Sequence, residues 1–336
     1  MNLKLFIRIL PHLTLKKVLN FFFLESSFLL SRILRRPIMK GLPWALSVEP
    51  TTHCNLRCPE CPTGLRILKR PTGSMNMDLF SHIIDSMSRH LLYITLYFQG
   101  EPFLNKDLLQ MIRLAKSKKL LVATSTNGHF LTPDTAKEVV ESGLDRLIIS
   151  LDGTDQSAYS KYRVGGDINT VIAGIRQVVY WKKKLKKSFP FIELQFLVLG
   201  TNEHQLKEIK LLAKNLGVDK LSLKSAQLNN LENNPFLTSV KRFARYSNES
   251  SNKTGIHSDL PDYCHRMWNS PVITWEGIII PCCFDKDAEH KFGNIQDNDF
   301  SNIWISDNYQ SFRQQIFKNR KNITMCCNCT EGLKQK

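Results

Sequence analysis

The stretch Cys54-Asn55-Leu56-Arg57-Cys58-Pro59-Glu60-Cys61 carries three thiols, separated by three and then by two residues. It follows residues 44–48, an apolar run typical of a buried strand, so we predict that the thiols lie on the loop after that strand. A 4Fe-4S cluster normally takes four thiolates, and three would leave one iron open to another ligand. A zinc knuckle and buried free thiols are the alternatives. We therefore predict that Cys54, Cys58 and Cys61 bind a 4Fe-4S cluster with an open iron.

This spacing resembles the signature of the radical S-adenosylmethionine (radical SAM) superfamily, in which the open iron holds the amino and carboxylate groups of SAM. The resemblance implies that the reduced cluster donates an electron to the sulfonium of SAM, which then breaks into methionine and a 5'-deoxyadenosyl radical. That radical removes hydrogen from an unactivated carbon, while the protein positions the substrate. Glu60 departs from the family, which usually has an aromatic residue before its third cysteine. No side-chain acid or base is predicted to be catalytic.

Composition sets the outer limits of the protein. A chain of 336 residues with 42% hydrophobic content is long enough for one barrel-sized domain and a smaller one. Its nine cysteines are clustered as CxxxCxxC, CC and CCxC, which favours metal ligands in a reducing compartment, so the cytoplasm is the expected location. The formal net charge of +16 favours acidic partners or an anionic membrane. No nucleic-acid-binding module is recognisable, so nucleic acid is not an expected partner.

Residues 1–40 are apolar and basic. Their longest nearly apolar run, 18–31, is interrupted by Glu25 and is shorter than the roughly 20 residues that span a bilayer. No small-residue cleavage site follows, so a signal peptide is not expected. We predict an amphipathic helix that either packs against the barrel or makes peripheral contact with an anionic membrane at its inner face.

The rest of the chain alternates strand and helix signals. Buried-strand signals recur at residues 44–48, 93–98, 120–125, 146–151, 192–199 and 220–224. Helical periodicity fills the intervals at residues 79–87, 108–117, 133–142, 169–186 and 203–216. The predicted fold class is α/β, a partial (β/α)6 radical SAM barrel with a small cysteine-rich domain after it. In such barrels the functional residues follow the carboxyl ends of the strands.

Polar residues after the strands are the candidate SAM contacts. Gln99-Gly100-Glu101-Pro102 resembles the GGE-type motif of the superfamily with Gln99 in place of its first glycine, which implies that Gly100 and Glu101 meet the SAM ammonium. An ordinary turn is the alternative. The polar turn at residues 125–128 occupies a position that similar proteins place beside the active site.

Four further candidates follow the fourth and fifth strands. Ser150 and Asp152 point the same way along an extended strand and are candidates for binding ribose hydroxyls. Arg163 lies in a segment that looks like one recurring in radical SAM proteins with a C-terminal cluster domain, where it would pair with the SAM carboxylate; a surface arginine is the alternative. Asn202 is either a SAM contact or a helix N-cap.

The C-terminal part holds the other six cysteines. Residues 273–281 predict a β-hairpin that turns at Glu276-Gly277 and ends at Cys282 and Cys283. With the later CCxC, this succession resembles the SPASM and twitch domains, although a full SPASM domain has seven cysteines. The resemblance implies one auxiliary 4Fe-4S cluster, with a structural zinc site as the alternative. The four predicted ligands are Cys264, Cys282, Cys326 and Cys329, while exchange with the neighbours Cys283 and Cys327 stays open.

The predicted organisation is a basic amphipathic segment (1–40), the barrel (41–226), a linker (227–259) and the SPASM/twitch-like domain (260–336). We expect a radical SAM enzyme, an oxidoreductase or another radical-based modifying enzyme, that takes electrons from a reductant such as flavodoxin or ferredoxin. Its auxiliary cluster would aid oxidation or position the substrate. Only about forty residues precede the barrel, which favours small molecules, sugars or lipid precursors over peptides. A non-catalytic metal-binding or electron-transfer protein is the alternative.

Overall fold

Six parallel strands and the helices between them form the barrel in the computed structural model, which describes residues 8–246 and 260–331. The strands are β1 (Ala45–Val48), β2 (Tyr93–Leu96), β3 (Leu121–Thr126), β4 (Arg146–Ser150), β5 (Phe191–Val198), β6 (Lys220–Ser225), β7 (Val272–Ile273), β8 (Ile278–Ile280) and β9 (Gly293–Asn294). The helices are α1 (Leu15–Leu34), α2 (Pro62–Leu65), α3 (Met77–Met87), α4 (Leu108–Ser117), α5 (Pro133–Glu141), α6 (Gln156–Tyr162), α7 (Ile168–Lys184), α8 (Leu206–Leu216), α9 (Arg266–Asn269), α10 (Phe300–Ile305), α11 (Asp307–Asn319) and α12 (Thr324–Cys327). Each predicted strand and helix of the barrel is present, which confirms the predicted fold class.

The sheet order explains why the barrel is partly open. The strands follow the order β6-β5-β4-β3-β2-β1, and each neighbouring pair is parallel. β1 and β6 lie at opposite ends of this order and are not paired with each other, so the barrel is not closed. The other edge of β1 pairs with β7 of the C-terminal domain. The carboxyl ends of all six strands therefore lie at one rim, where the βα loops come together.

The barrel forms because its central strands, β3, β4 and β5, are mostly buried and its helices cover them. Val122 of β3 and Leu194 of β5 are completely buried, as are apolar side chains of the covering helices. Capping side chains fix where the helices begin: Asn76 caps α3 and Asp167 caps α7, each by accepting hydrogen bonds from backbone N–H groups of the first turn.

The C-terminal domain continues the barrel sheet. Strand β7 pairs in parallel with β1, and β8 and β9 follow in antiparallel pairs. The turn between β7 and β8 includes Gly277, whose φ of +87° is readily adopted by glycine, so the predicted hairpin is confirmed. The domain is therefore attached to the barrel through backbone hydrogen bonds.

A buried ion pair reinforces this attachment. Arg70 donates to both carboxylate oxygens of Glu49, at 2.7 and 2.5 Å, and the two side chains are only 2% and 0% exposed. Both partners also reach the C-terminal domain, because Arg70 Nε donates to the carbonyl of Lys286 and Glu49 accepts from the backbone N–H of Trp275. The pair thus joins the loop after β1 to the β7–β8 hairpin.

Residues 227–246, the described part of the predicted linker, pack on the barrel rim. Leu228 and Tyr246 are buried in an apolar cluster with Leu56 and Cys58 of the cysteine loop. The hydroxyl of Tyr246 donates to Asn328 at 2.8 Å, which connects this segment to the C-terminal domain. The rest of the predicted linker, 247–259, lies outside the described residues, as do residues 1–7 and 332–336 of the terminal segments.

Helix α1 lies across the end of the barrel opposite the rim. Lys17 Nζ donates to the carbonyl of Lys119, just before β3, and Arg8 pairs with Asp145, just before β4. Packing against the barrel, one of the two predicted arrangements, is therefore observed. Among the described residues, none of the helices combines the length and the apolarity that crossing a bilayer would require.

Candidate active site

The three thiols of the cysteine loop lie at the barrel rim, directly after β1. Cys58 is buried, while Cys54 and Cys61 are partly buried, and none of the three is in a disulfide. The loop closes on itself, since the N–H of Cys61 donates to the carbonyl of Cys58 at 3.2 Å. Gly64 of α2 keeps this turn compact, because a Cβ there would lie 2.5 Å from the backbone nitrogen of Cys58.

Burial raises the pKa of the Cys54 thiol to about 11 and also raises the pKa of Cys58. These two thiols would therefore stay protonated at neutral pH until metal ions displace the protons. Within the described ranges, no three His, Cys, Asp or Glu side chains converge on a point that suits one metal ion. A cubane cluster needs no such convergence, because each thiolate binds a different iron. Three closely spaced, sheltered thiols are a donor set that fits such a cluster.

Gly100 and Glu101 brace the cysteine loop from the end of β2. Gly100 has a φ of +74°, and a Cβ there would lie 2.4 Å from the carbonyl oxygen of Thr51, so only glycine allows this approach. The N–H of Glu101 donates to the carbonyl of His53 at 2.7 Å. The motif thus sets the position of the chain that enters the loop.

The carboxylate of Glu101 is buried and holds the neighbouring turn. It accepts hydrogen bonds from the hydroxyl of Thr126 at 2.8 Å and from the N–H groups of Asn127 and Phe103 at 2.7 and 3.2 Å. Asn127 in turn donates to the side chain of Asn55, in the cysteine loop, at 2.7 Å. Burial raises the pKa of Glu101 to about 7. The structure therefore brings the predicted turn at residues 125–128 next to the cysteine loop.

Asp152 and Arg163 reach the same rim from β4 and α6. Arg163 Nε donates to Asp152 at 2.6 Å, and its Nη1 lies 3.8 Å from the sulfur of Cys58. Asp152 is completely buried, and its second oxygen accepts from the N–H of Leu197 at 2.6 Å. Arg163 is therefore held by a buried carboxylate beside the predicted cluster ligands.

Ser150 and Asn202 differ in whether the side chain keeps an unused hydrogen-bonding group. Asn202 is completely buried, and its amide bonds the backbone of Asp152, Leu197 and Leu199, so it ties the β4 loop to the end of β5. The hydroxyl of Ser150 makes no hydrogen bond among the described residues. Of these two predicted contacts, Ser150 is the one with an unused polar group.

Glu60 has a role that sequence reasoning missed. Its carboxylate accepts from the N–H of Asn229 and from the side chain of Asn234, both at 2.7 Å, and it is buried. It therefore ties the cysteine loop to the segment 227–246. The sequence shows that Glu60 replaces an aromatic residue. It does not show the hydrogen-bond partners of Glu60, because they lie 169 and 174 residues further along the chain.

Replacing Glu60 by alanine should loosen the segment that it holds. Asn229 is exposed and Asn234 is half-buried, and each would lose one hydrogen bond, at about 0.5 to 1.5 kcal/mol. We expect amide hydrogen exchange over residues 228–246 to become roughly two to ten times faster. Glu232→Ala, an exposed change in the same segment, is the control. Equal exchange in the Glu60 variant and the wild type would contradict the assignment.

The predicted auxiliary ligands form a second buried group. Cys264, Cys282, Cys326 and Cys329 are all buried, and their thiols are among one another's charged neighbours. Arg320 Nη2 lies 3.3 Å from the sulfur of Cys329. Cys327 is exposed and its thiol donates to the carbonyl of Lys321 at 2.9 Å, away from this group. Cys283 is partly buried and has Cys329 among its charged neighbours, so it stays next to the group.

Two cations lie beside the cysteines: Lys286 is close to both groups, and Arg245 is close to Lys286 and Cys329. Burial lowers the pKa of Lys286, whose charged neighbours are Cys61 and Glu60 of the cysteine loop, Cys283 of the second group, and Arg245. The ammonium of Lys286 makes no hydrogen bond or ion pair among the described residues. Arg245 donates to the carbonyl of Asn328, but its Nε is buried without a partner. Sequence reasoning missed both residues, since neither belongs to a motif.

Two family models match the chain. The model of the radical SAM superfamily matches residues 48–213, and that of the SPASM iron-sulfur cluster-binding domain matches residues 264–330. The chain belongs to the radical SAM superfamily. It is a radical SAM enzyme, whose cofactors are SAM, a 4Fe-4S cluster in the barrel and auxiliary iron-sulfur in the SPASM domain.

Similar curated proteins belong to the same superfamily. A tungsten-containing aldehyde ferredoxin oxidoreductase cofactor-modifying protein of Pyrococcus furiosus is 27% identical over 304 residues, which cover 80% of this radical SAM enzyme and 82% of that protein. An AdoMet-dependent heme synthase of Methanosarcina barkeri is 29% identical over 180 residues, which cover 53% of this chain and 49% of the synthase. The second match thus spans about half of each protein.

Solved structures show the same fold. BtrN in complex with AdoMet and 2-DOIA matches with a TM-score of 0.53 and 19% identity, covering 89% of this radical SAM enzyme and 97% of that chain. Streptococcus suis SuiB bound to S-adenosylmethionine matches with a TM-score of 0.62 and 16% identity, covering 81% and 68%. The enzyme anSMEcpe with bound AdoMet gives 0.58 and 17%, covering 85% of each chain. At these identities the likeness establishes the architecture alone.

Proposed function

We propose that this enzyme abstracts hydrogen from a small molecule or cofactor precursor that carries an anionic group. The observation that carries the substrate class is the pair of neighbouring cations beside the cysteines, Lys286 and Arg245, both with unused donors. A half-buried cation with unused donors has lost part of its hydration, and an anionic ligand would offset that cost. The relatives give support, since they are named for modifying a cofactor and for making heme.

The barrel rim would hold the SAM-binding cluster through Cys54, Cys58 and Cys61. When bound, this cluster supplies the electron that cleaves SAM into methionine and a 5'-deoxyadenosyl radical. Of the residues around it, Arg163 would pair with the SAM carboxylate and Ser150 would bind a ribose hydroxyl, since Arg163 is positioned by Asp152 and Ser150 has a free hydroxyl.

The other predicted SAM-contact residues would position these groups. Gly100 and Glu101 fix the cysteine loop, and Asn202 fixes the loop that carries Asp152. A SAM ammonium would add a further donor to the Glu101 carboxylate, which already accepts three hydrogen bonds. The residues that touch SAM are placed precisely only if such neighbouring residues hold their loops.

The C-terminal domain would hold the auxiliary 4Fe-4S cluster through Cys264, Cys282, Cys326 and Cys329. This cluster would accept an electron from the substrate radical or position the substrate, with Lys286 and Arg245 beside it. A reductant such as flavodoxin or ferredoxin would supply electrons, and the net charge of +16 would favour an acidic carrier. The cysteines that stay free of disulfides suit a reducing compartment such as the cytoplasm.

Formation of 5'-deoxyadenosine tests this proposal. The anaerobically reconstituted protein should release it from SAM in the presence of a strong reductant. We expect faster release when small molecules from an extract of the source organism are added, and the stimulating fractions should be those retained by an anion exchanger. In Lys286→Met, basal release should persist while the stimulation is lost.

The matched control is Lys291→Met, an exposed lysine of the same domain, which should keep the stimulation. Stimulation by peptide fractions alone would contradict the substrate class. If both clusters assemble and are reduced but no 5'-deoxyadenosine forms, the protein is a metal-binding or electron-transfer protein instead.

A further inference from the structure

The outward face of α1 is apolar. Leu15, Phe22 and Ile33 lie along it and are 75%, 61% and 67% exposed. Within the described residues, ten of the seventeen exposed large apolar side chains lie between positions 10 and 34; these ten are Leu10, Leu13, Leu15, Leu19, Phe22, Phe23, Leu29, Leu30, Ile33 and Leu34. A contiguous apolar surface of this kind marks an interaction site, whereas isolated exposed apolar residues do not.

The inward face of α1 is largely polar, unlike that of an ordinary surface helix: its buried residues are Lys17, Asn20, Ser27 and Ser31, with Leu24 as the buried apolar one. Asn20 exchanges two hydrogen bonds with the backbone of Leu42, both at 2.8 Å. The hydroxyl of Ser31 bonds both backbone groups of Ile38, at 3.0 and 2.8 Å. Because these bonds fix the rotation of the helix, the apolar face cannot turn inward without leaving buried polar groups unpaired.

Basic side chains lie at both ends of the apolar face, and one of them, Arg35, has Asp262 3.4 Å away. Lys16, Arg36 and Lys40 are exposed at the two ends of the helix and just after it. The acidic residue of α1, Glu25, is turned toward the protein, where it accepts from Trp44 and lies 2.8 Å from His265. The surface is therefore apolar with basic flanks, and the whole chain carries a net charge of +16.

We propose that α1 is an in-plane membrane anchor whose outward face enters the interface of an anionic bilayer. Apolar side chains on one face, with lysine and arginine at its edges, are the features that bind a helix parallel to such a surface. Spanning is excluded, because the polar face is bonded to the barrel. A second copy of the chain fits less well, since it would bring two basic flanks together.

Flotation with lipid vesicles tests the anchor, and this test does not depend on the reaction. The reconstituted full chain should float with vesicles of phosphatidylglycerol and phosphatidylcholine, and less with phosphatidylcholine alone. The variant Phe22→Ser/Phe23→Ser/Ile33→Ser should partition at least about tenfold less. Lys16→Gln/Arg36→Gln should weaken binding to the anionic vesicles by about fivefold per charge removed.

Leu211→Ser/Ile305→Ser is the matched control, because these side chains are equally exposed but lie elsewhere, and it should float like the wild type. Unchanged basal SAM cleavage in every variant shows that the fold is kept. The proposal is overturned if the wild type does not float with anionic vesicles, or if the triple serine variant floats as well as the wild type. It is also overturned if the wild type is a dimer in lipid-free solution that the serine changes dissociate.

Discussion

Replacing Cys54, Cys58 and Cys61 together by alanine should abolish SAM cleavage and lower the iron content from about eight to about four per chain. The physical reason is the complete loss of the thiolates at the barrel rim, with the auxiliary cysteines untouched in another domain. Iron analysis and 5'-deoxyadenosine release under anaerobic conditions measure the two effects. The remaining iron should show the spectrum of a cluster that does not bind SAM.

Cys327→Ala is the control for this result, because that thiol is exposed and donates to a backbone carbonyl instead of facing the other cysteines. It should keep both the iron content and SAM cleavage. If the triple variant retains the wild-type iron content, the cysteine loop is not the cluster site.

Replacing Cys326 and Cys329 by alanine should separate SAM cleavage from product formation. The auxiliary cluster would be lost, but the SAM site is built by loops of the barrel and should survive. Product should fall below detection, because the substrate radical loses its electron acceptor or its anchor. Uncoupled 5'-deoxyadenosine release should persist, and the iron content should fall to about four per chain.

The structure predicts that the effect of these two substitutions stays within the C-terminal domain. Cys326 and Cys329 lie after α11, whereas the domain is joined to the barrel by the pairing of β7 with β1 and by the Glu49–Arg70 pair. Thermal unfolding of the barrel should therefore change little. Loss of SAM cleavage together with product, in a variant that still holds the first cluster, would show that the two sites are not separable in this way.

The βα order, the position of the cysteine loop and the β7–β8 hairpin could be predicted because each is written in local sequence. Buried strands are apolar, helices have periodic apolar residues and capping side chains, and the thiols are closely spaced. The structure also brings the predicted residues Glu101, Asp152 and Arg163 to one rim: the first two follow parallel strands, and Arg163, at the end of α6, is held there by Asp152.

The supports of the site could not be predicted, because their partners are far apart in the chain. Glu60 and Asn229 are 169 residues apart, and Arg70 lies 216 residues before the carbonyl that it reaches in Lys286. The sequence also could not show which face of α1 would be buried. The buried side chains Ser31 and Asn20 bond backbone groups of Ile38 and Leu42. Because nearly every residue type has such backbone groups, the sequence does not indicate these partners.

The position of α1 bears on how substrate reaches the enzyme. The helix covers the end of the barrel where the strands begin, while the cysteine loop lies where they finish. A bilayer under α1 would therefore leave the entrance of the barrel facing the aqueous phase, about one strand length or more from the lipid. Such an enzyme would collect water-borne molecules released near the membrane, and a lipid would have to leave the bilayer before it could reach the radical.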